Sequence, residues 1–164
     1  MEIKKRHDMS KSEVRKLFEN VKDIYGEDPI SYKKGRYEIC ETDKDVSLIL
    51  LNGEPYLLLK DDRLMPSLKL FLDKDVRGVR NKVIVDMGAI RFVTNGADIM
   101  RPGIVDVDKE ITPESFVIIG DEKYGKPLAI GVAMYSGKEI MEMDSGKVIK
   151  NIHFVGDSIW NLEV

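Results

Sequence analysis

The sequence predicts an α+β unit followed by a small β-rich barrel with one short helix, and three observations carry that expectation. An amphipathic stripe lies near the start, short β-rich runs separated by turn residues follow it, and a glycine- and proline-punctuated stretch at 85–104 opens a second series of strands. An apolar fraction of 43% over 164 residues suits packed cores rather than a disordered chain.

The first helix is predicted from Ser10 and Glu13, whose spacing is that of a capping box, where the two side chains satisfy donors left free at a helix start. Val14, Leu17, Phe18, Val21, Ile24 and Tyr25 then fall three and four apart on one stripe, while Arg15, Lys16, Glu19, Lys22 and Asp23 face water. Gly26 is the expected stop, and Asp28 with Pro29 breaks the chain. Strands are expected at 36–42, 46–51 and 55–60, with Asn52 and Gly53 turning the second into the third as a hairpin. Pro66 is expected in the first turn of a short helix with Leu64, Leu68, Phe71 and Leu72 on its apolar side. The charged segment 73–80 shows neither periodicity, so the boundary is drawn there, between an N-terminal domain at 1–76 and a C-terminal one at 77–164. A strand at 82–86, a helix at 87–94 and strands near 104–107, 115–120, 128–134, 148–154 and 158–162 follow, a pattern that suits a small barrel.

The net charge of −3 gives no global argument for a nucleic-acid partner. Residues 1–80 hold 17 basic against 16 acidic side chains and residues 81–164 hold 9 against 13, so any basic face must be local. Lys82, Arg91 and Arg101 gather early in the second half, close in sequence to Arg77 and Arg80. No apolar run approaches the roughly 18 residues of a membrane span, and the charged start lacks the apolar core of a signal peptide. A soluble cytoplasmic protein with no membrane partner is expected. Cys40 is the single cysteine, which excludes an intrachain disulfide and a cysteine zinc cage, and its neighbours predict an inert, partly buried thiol. His7 and His153 stand too far apart for a zinc motif, and both read as structural or solvent-facing. Asp43 with Asp45, and Asp61 with Asp62, flank predicted strands and read as turns. With no Walker loop, dinucleotide fingerprint, metalloprotease helix or nucleophile elbow, no cofactor, metal site or catalytic residue is expected.

Residues 85–104 have an unusual grammar. A strand ends at Asp86, Gly88 and Ala89 permit a tight entry into a helix, Gly96 supplies a left-handed way out, and Pro102 with Gly103 forces a turn into the next strand. Such corners hold a helix close against a strand and leave main-chain donors at its start for phosphate oxygens.

Gly88-Ala89, Gly96-Ala97 and Pro102-Gly103-Ile104 resemble the signature of PUA domains. The closing segment 151–160, together with Lys4, Lys5, Arg6, His7 and the N-terminal unit, is similar to the malignant T-cell amplified sequence family and its archaeal relatives. The resemblance implies a PUA-type β pseudo-barrel with a short helix, preceded by an α+β pre-PUA domain. It also implies a non-enzymatic adaptor that binds structured RNA, tRNA or rRNA. Relatives of this kind associate with the small ribosomal subunit in initiation, reinitiation or recycling, often beside a partner with an initiation-factor-like domain. On that basis Arg91 and Arg101 are the first candidates for phosphate contact, followed by Arg80, Lys82 and Asn95, with Gly88, Ala89, Gly96 and Ala97 shaping the backbone. The double change Arg91→Ala with Arg101→Ala is expected to weaken RNA binding and leave the melting curve nearly unchanged. Trp160 reads as barrel core rather than a stacking platform. Lys4, Lys5 and Arg6 with Lys11, Arg15, Lys16 and Lys22 read as a flexible start and a solvated helix face, with contact to ribosomal RNA as the alternative. Two alternatives stay open: a protein-interaction module whose barrel has lost RNA affinity, and an accessory subunit of an RNA-modifying enzyme.

Overall fold

The computed structural model of the chain describes residues 1–25 and 30–162. Two compact units are present, one of Met1–Lys69 with Leu162 and one of Leu70–Asn161.

The first unit contains helix α1 (Lys11–Tyr25) and strands β1 (Ile3–Asp8), β2 (Tyr37–Thr42), β3 (Ser47–Leu51), β4 (Glu54–Lys60) and β5 (Arg63–Pro66). The strands form an antiparallel sheet in chain order, each bonded to its sequence neighbour. Two of its turns are two-residue loops with positive φ at both positions, Asn52 and Gly53 at 51° and 86°, Asp61 and Asp62 at 50° and 60°. That geometry matches the right-handed twist of the flanking strands. Helix α1 begins as its spacing requires, with the Glu13 N–H donating to Ser10 Oγ at 3.1 Å, and it buries Val14 and Val21. The stop expected at Gly26 and the break at Asp28 and Pro29 lie outside the described residues, as do the side chains of Ile24 and Tyr25.

Two expectations in this unit are corrected. The basic start is strand β1 rather than a flexible lead: Arg6 lies opposite Cys40 and donates through Nε and Nη2 to the buried Glu38 carboxylate at 2.6 and 2.9 Å. A run rich in lysine reads as solvated because edge strands carry charge on their open side. Pro66 closes β5 instead of opening a helix, and the 3-10 turn begins later, at Leu68–Phe71. An edge strand tolerates proline because no ladder bond is lost on its outer side. Cys40 is fully buried, and burial pushes its thiol pKa up.

The second unit comprises β6 (Lys82–Val85), α2 (Ile90–Val93), β7 (Ile99–Met100), β8 (Ile104–Val107), β9 (Phe116–Asp121), β10 (Pro127–Ala133), α3 (Gly137–Glu142) and β11 (Lys147–Phe154). Its sheet runs β7-β11-β10-β9-β6-β8, with β6 and β9 parallel and every other pair antiparallel. The two edge strands, β7 and β8, are joined by the 3-10 turn Arg101–Gly103, which brings the sheet close to closure as a pseudo-barrel. Val83, Val85, Val117, Ile119, Ala129, Val148 and Ile149 fill its core with no exposed surface. Strand β9 is buried at every position, and Gly120 is required there because a Cβ would stand 2.6 Å from Val76 Cβ. Val76 belongs to the 3-10 turn Val76–Gly78, inside the charged segment that showed no periodicity.

Helix α3 was not expected. It carries a complete capping box, in which Ser136 Oγ accepts the Glu139 N–H and the Glu139 carboxylate accepts the Ser136 N–H. The strand expected at 158–162 is instead a series of turns. Asp157 accepts the N–H groups of Phe154 and Trp160 at 2.9 and 2.8 Å, and its own carbonyl accepts from Asn161, so a local cap overrides the apolar alternation. Buried His153 meets the same carboxylate at 2.8 Å. Among the described residues no helix is long and apolar enough to cross a membrane.

Candidate nucleic-acid interface

Strand β6 delivers the chain to Asp86, whose carboxylate accepts the Ala89 N–H at 2.9 Å while its own N–H donates to the Gly103 carbonyl. The 3-10 turn Met87–Ala89 starts there and passes directly into the single turn of α2. A helix this short presents little dipole, so what it offers a ligand is its side chains and the bare main chain at exposed Gly88. Gly96 then turns the chain at φ +90°, and a Cβ there would approach Phe154 to 2.9 Å. Only glycine meets both demands.

Asn151 of β11 clips the far end of this helix to the sheet. Its Nδ2 donates to the carbonyls of Val93 and Ala97, both at 3.0 Å, and its N–H donates to Asp98 Oδ1 at 2.8 Å. Burial pushes the Asp98 carboxyl up, but the Asn151 N–H and Lys147, whose Nζ is 2.9 Å away, outweigh it and hold the group below the ordinary aspartate range.

The helix covers a cavity of about 460 Å³, with Val85, Val93 and Ile99 among its walls and Phe92, Met100 and Pro102 also lining it. Phe92 is 54% exposed, and the Arg91 guanidinium carbon lies 4.7 Å from its ring centroid. An exposed ring under an exposed cation, beside an apolar recess, can receive the flat face of a base and the phosphate next to it. Ala97 and Asn95 are exposed on the same helix-to-strand connection.

The remaining cations of the expected set stand differently. Arg101 is partly buried and donates through Nε to the Ile140 carbonyl at 2.6 Å and through Nη1 to the Ile104 carbonyl at 3.1 Å, so it ties β8 to α3. Because both contacts vanish with the side chain, the double change Arg91→Ala with Arg101→Ala is now expected to lower the melting temperature rather than leave the curve nearly unchanged. Lys82 is held by Asp108 at 2.9 Å. Arg80 and Lys82 flank the start of β6, about 10 Å from its other end by ordinary strand rise. The structure thus gathers Gly88, Ala89, Arg91, Asn95, Gly96 and Ala97 around one helix and leaves Arg80 and Lys82 at the opposite end of β6. Phe92 and Asn151 were missed by sequence reasoning. A phenylalanine inside a predicted helix reads as core, whereas the lone amide among Val148, Ile149 and Ile152 was a usable signal.

In the first unit a groove of about 930 Å³ runs beside α1, with Phe18, Tyr32 and Tyr37 among its walls and Lys11, Arg15 and Lys34 also lining it. Among the described residues no cluster of three or more His, Cys, Asp or Glu could hold a metal ion.

The PUA domain model matches residues 81–155, and the model described as a domain of unknown function, DUF1947, matches residues 5–74. An uncharacterized protein of Methanocaldococcus jannaschii is 48% identical, with 99% of both chains covered. Translation machinery-associated protein 20 of Saccharomyces cerevisiae is 32% identical over 94% of this chain and 86% of its own. The crystal structure of a hypothetical protein from Pyrococcus horikoshii superposes with a TM-score of 0.86 at 36% identity, covering 98% of this chain and all of the other. With its nearly closed mixed sheet, its short helix and these matches, the chain belongs to the PUA-domain family that includes Translation machinery-associated protein 20 and the Malignant T-cell-amplified sequence 1 proteins.

Proposed function

We propose that this protein is a non-catalytic RNA-binding adaptor of the translation apparatus, acting in the cytoplasm. The exposed Arg91 and Phe92 pair beside the cavity, within the PUA-matched segment, is the observation that carries the reading. Residues 77–164 grip structured RNA, tRNA or rRNA: Arg91 and Asn95 meet phosphate or sugar, Phe92 takes a base, and Gly88, Ala89, Gly96 and Ala97 keep the main chain close. Arg80 and Lys82 reach RNA only where it extends along the barrel. The name of Translation machinery-associated protein 20 supports the link to translation, and the small ribosomal subunit is the platform this reading assigns. The N-terminal half docks a protein, and the apolar groove with its lysine and arginine rim favours an acidic segment of an initiation-factor-like partner.

Titration against tRNA and small-subunit rRNA at several salt concentrations tests the reading, and the absence of salt-dependent binding to either removes it. Arg91→Ala is expected to weaken binding about 3- to 10-fold and reduce the salt slope by about 1, with an unchanged melting temperature. Arg101→Ala is expected to cost about 1–2 kcal/mol of stability through its two lost carbonyl contacts. Equal melting behaviour of the two variants would contradict the division of roles between them.

A further inference from the structure

The turn between β9 and β10 is built to hold one aromatic side chain outward. Asp121, only 1% exposed, accepts the N–H groups of Lys123, Tyr124 and Lys126 at 2.9, 2.6 and 3.0 Å. Gly125 turns the chain at φ +65°, donating to the Asp121 carbonyl and accepting from the Val76 N–H. Arg77 Nη1 donates to the carbonyls of Glu122 and Lys123 from the other side. Burial pushes the Asp121 carboxyl up, yet the main-chain donors overcome that and hold it below the ordinary range, so the anchor stays charged at neutral pH.

On this fixed backbone Tyr124 is 56% exposed. The ammonium groups of Lys123 and Lys126 lie over the ring, 5.1 and 5.7 Å from its centroid, so the exposed aromatic carries two cations against its electron-rich system. Arg77 is neutralised by Asp75 at 2.7 Å, and Glu122 is exposed, so the local field is mixed and the ring carries the recognition. A protein hot spot sits in a well-packed, desolvated pocket, whereas the neighbours of this residue in the turn, Glu122, Lys123 and Lys126, are all charged and exposed. A nucleobase needs only the face and a nearby cation. The location agrees: Val85 lies opposite Asp121 in the parallel pair, and the Glu122 N–H donates to the Val85 carbonyl, one residue before Asp86. The turn therefore leaves the sheet at the end of the barrel where Gly88 lies.

We infer that the 122–126 turn is a second RNA contact, in which Tyr124 stacks on an unpaired base while Lys123 and Lys126 meet the adjoining phosphates. This rests on the RNA-binding reading above. Because the turn is already ordered, stacking sacrifices only the freedom of one side chain.

The test is fluorescence anisotropy with two probes, a tRNA carrying its unpaired 3′ end and a blunt RNA duplex without unpaired residues, at several salt concentrations. Tyr124→Ala is expected to weaken tRNA binding by about 5- to 150-fold, the range of one lost base stack, and to leave duplex binding and the melting temperature unchanged. Tyr124→Phe keeps the ring and is expected to bind within about twofold of the unaltered protein. Lys123→Ala with Lys126→Ala is expected to lower the salt slope by about 1–2. If the unaltered protein binds tRNA and Tyr124→Ala binds it equally well, this inference falls alone. If the unaltered protein binds neither probe, the RNA-binding reading falls with it.

Discussion

In the first unit the carboxylates of Asp8 and Glu38 meet guanidinium groups, and in the second four aspartates meet main-chain N–H groups. Arg6 grips Glu38 and Arg36 grips Asp8, while Asp43 accepts the Glu2 N–H, Glu13 accepts from the Ser10 hydroxyl and Glu54 meets Lys69. Asp86, Asp98, Asp121 and Asp157 instead each close a turn or a strand junction by accepting backbone donors. The difference explains why counting charges misleads. Thirteen acids against nine bases make residues 81–164 look unsuited to RNA, yet several of those carboxylates point inward and are already satisfied, while Arg91 remains exposed. It also separates strong from weak anchors. A buried N–H deprived of its acceptor has no water to turn to, whereas an exposed ion pair that is broken is simply rehydrated.

The largest effect expected from this contrast is at Asp121. Asp121→Ala strands three main-chain donors and is expected to cost about 2–4 kcal/mol, read by chemical denaturation with Trp160, the only tryptophan and a residue of the second unit, as the fluorescent reporter. A stable Asp121→Ala variant would break the comparison. A smaller, graded effect is expected in acid. Asp98, Asp121 and Asp157 are each raised by burial and lowered further by their donors, for Asp157 first of all by His153, so each ends below the ordinary value of 3.8. The unfolded chain then binds more protons than the folded one once acid reaches the ordinary aspartate range. Stability from these groups is complete above about pH 4 and is lost as pH falls through their lowered native values. The Trp160-reported midpoint should stay level from about pH 7 to 5 and drop below about pH 4, with a shallower drop in Asp157→Asn. The smallest effect belongs to the exposed pair of the first unit: Arg36→Ala should leave the denaturation midpoint unmoved, and a clear shift would show that the surface pairs matter as much as the caps.

Helix α1, the Asn52 and Gly53 hairpin and the corners at Gly88, Gly96 and Gly103 were legible from the sequence because each depends on residues within one turn or one strand of itself. The same locality explains the resemblance carried by 85–104, where backbone permissiveness is written as glycine and proline. Strand β1, helix α3 and the turns after β11 were not legible. A charged edge strand has no periodic apolar face, α3 is only six residues long, and the carboxylate of Asp157 redirects a segment whose alternation reads as extended. Tertiary structure alone decided the parallel pairing of β6 with β9 and which cations stay free. Arg91 and Arg101 look equivalent in sequence, but Arg101 finds the Ile140 carbonyl 39 residues away and Lys82 finds Asp108 26 residues away. Local steric rules determined where the chain bends, and only long-range hydrogen bonding determined which of its charges remain for a ligand.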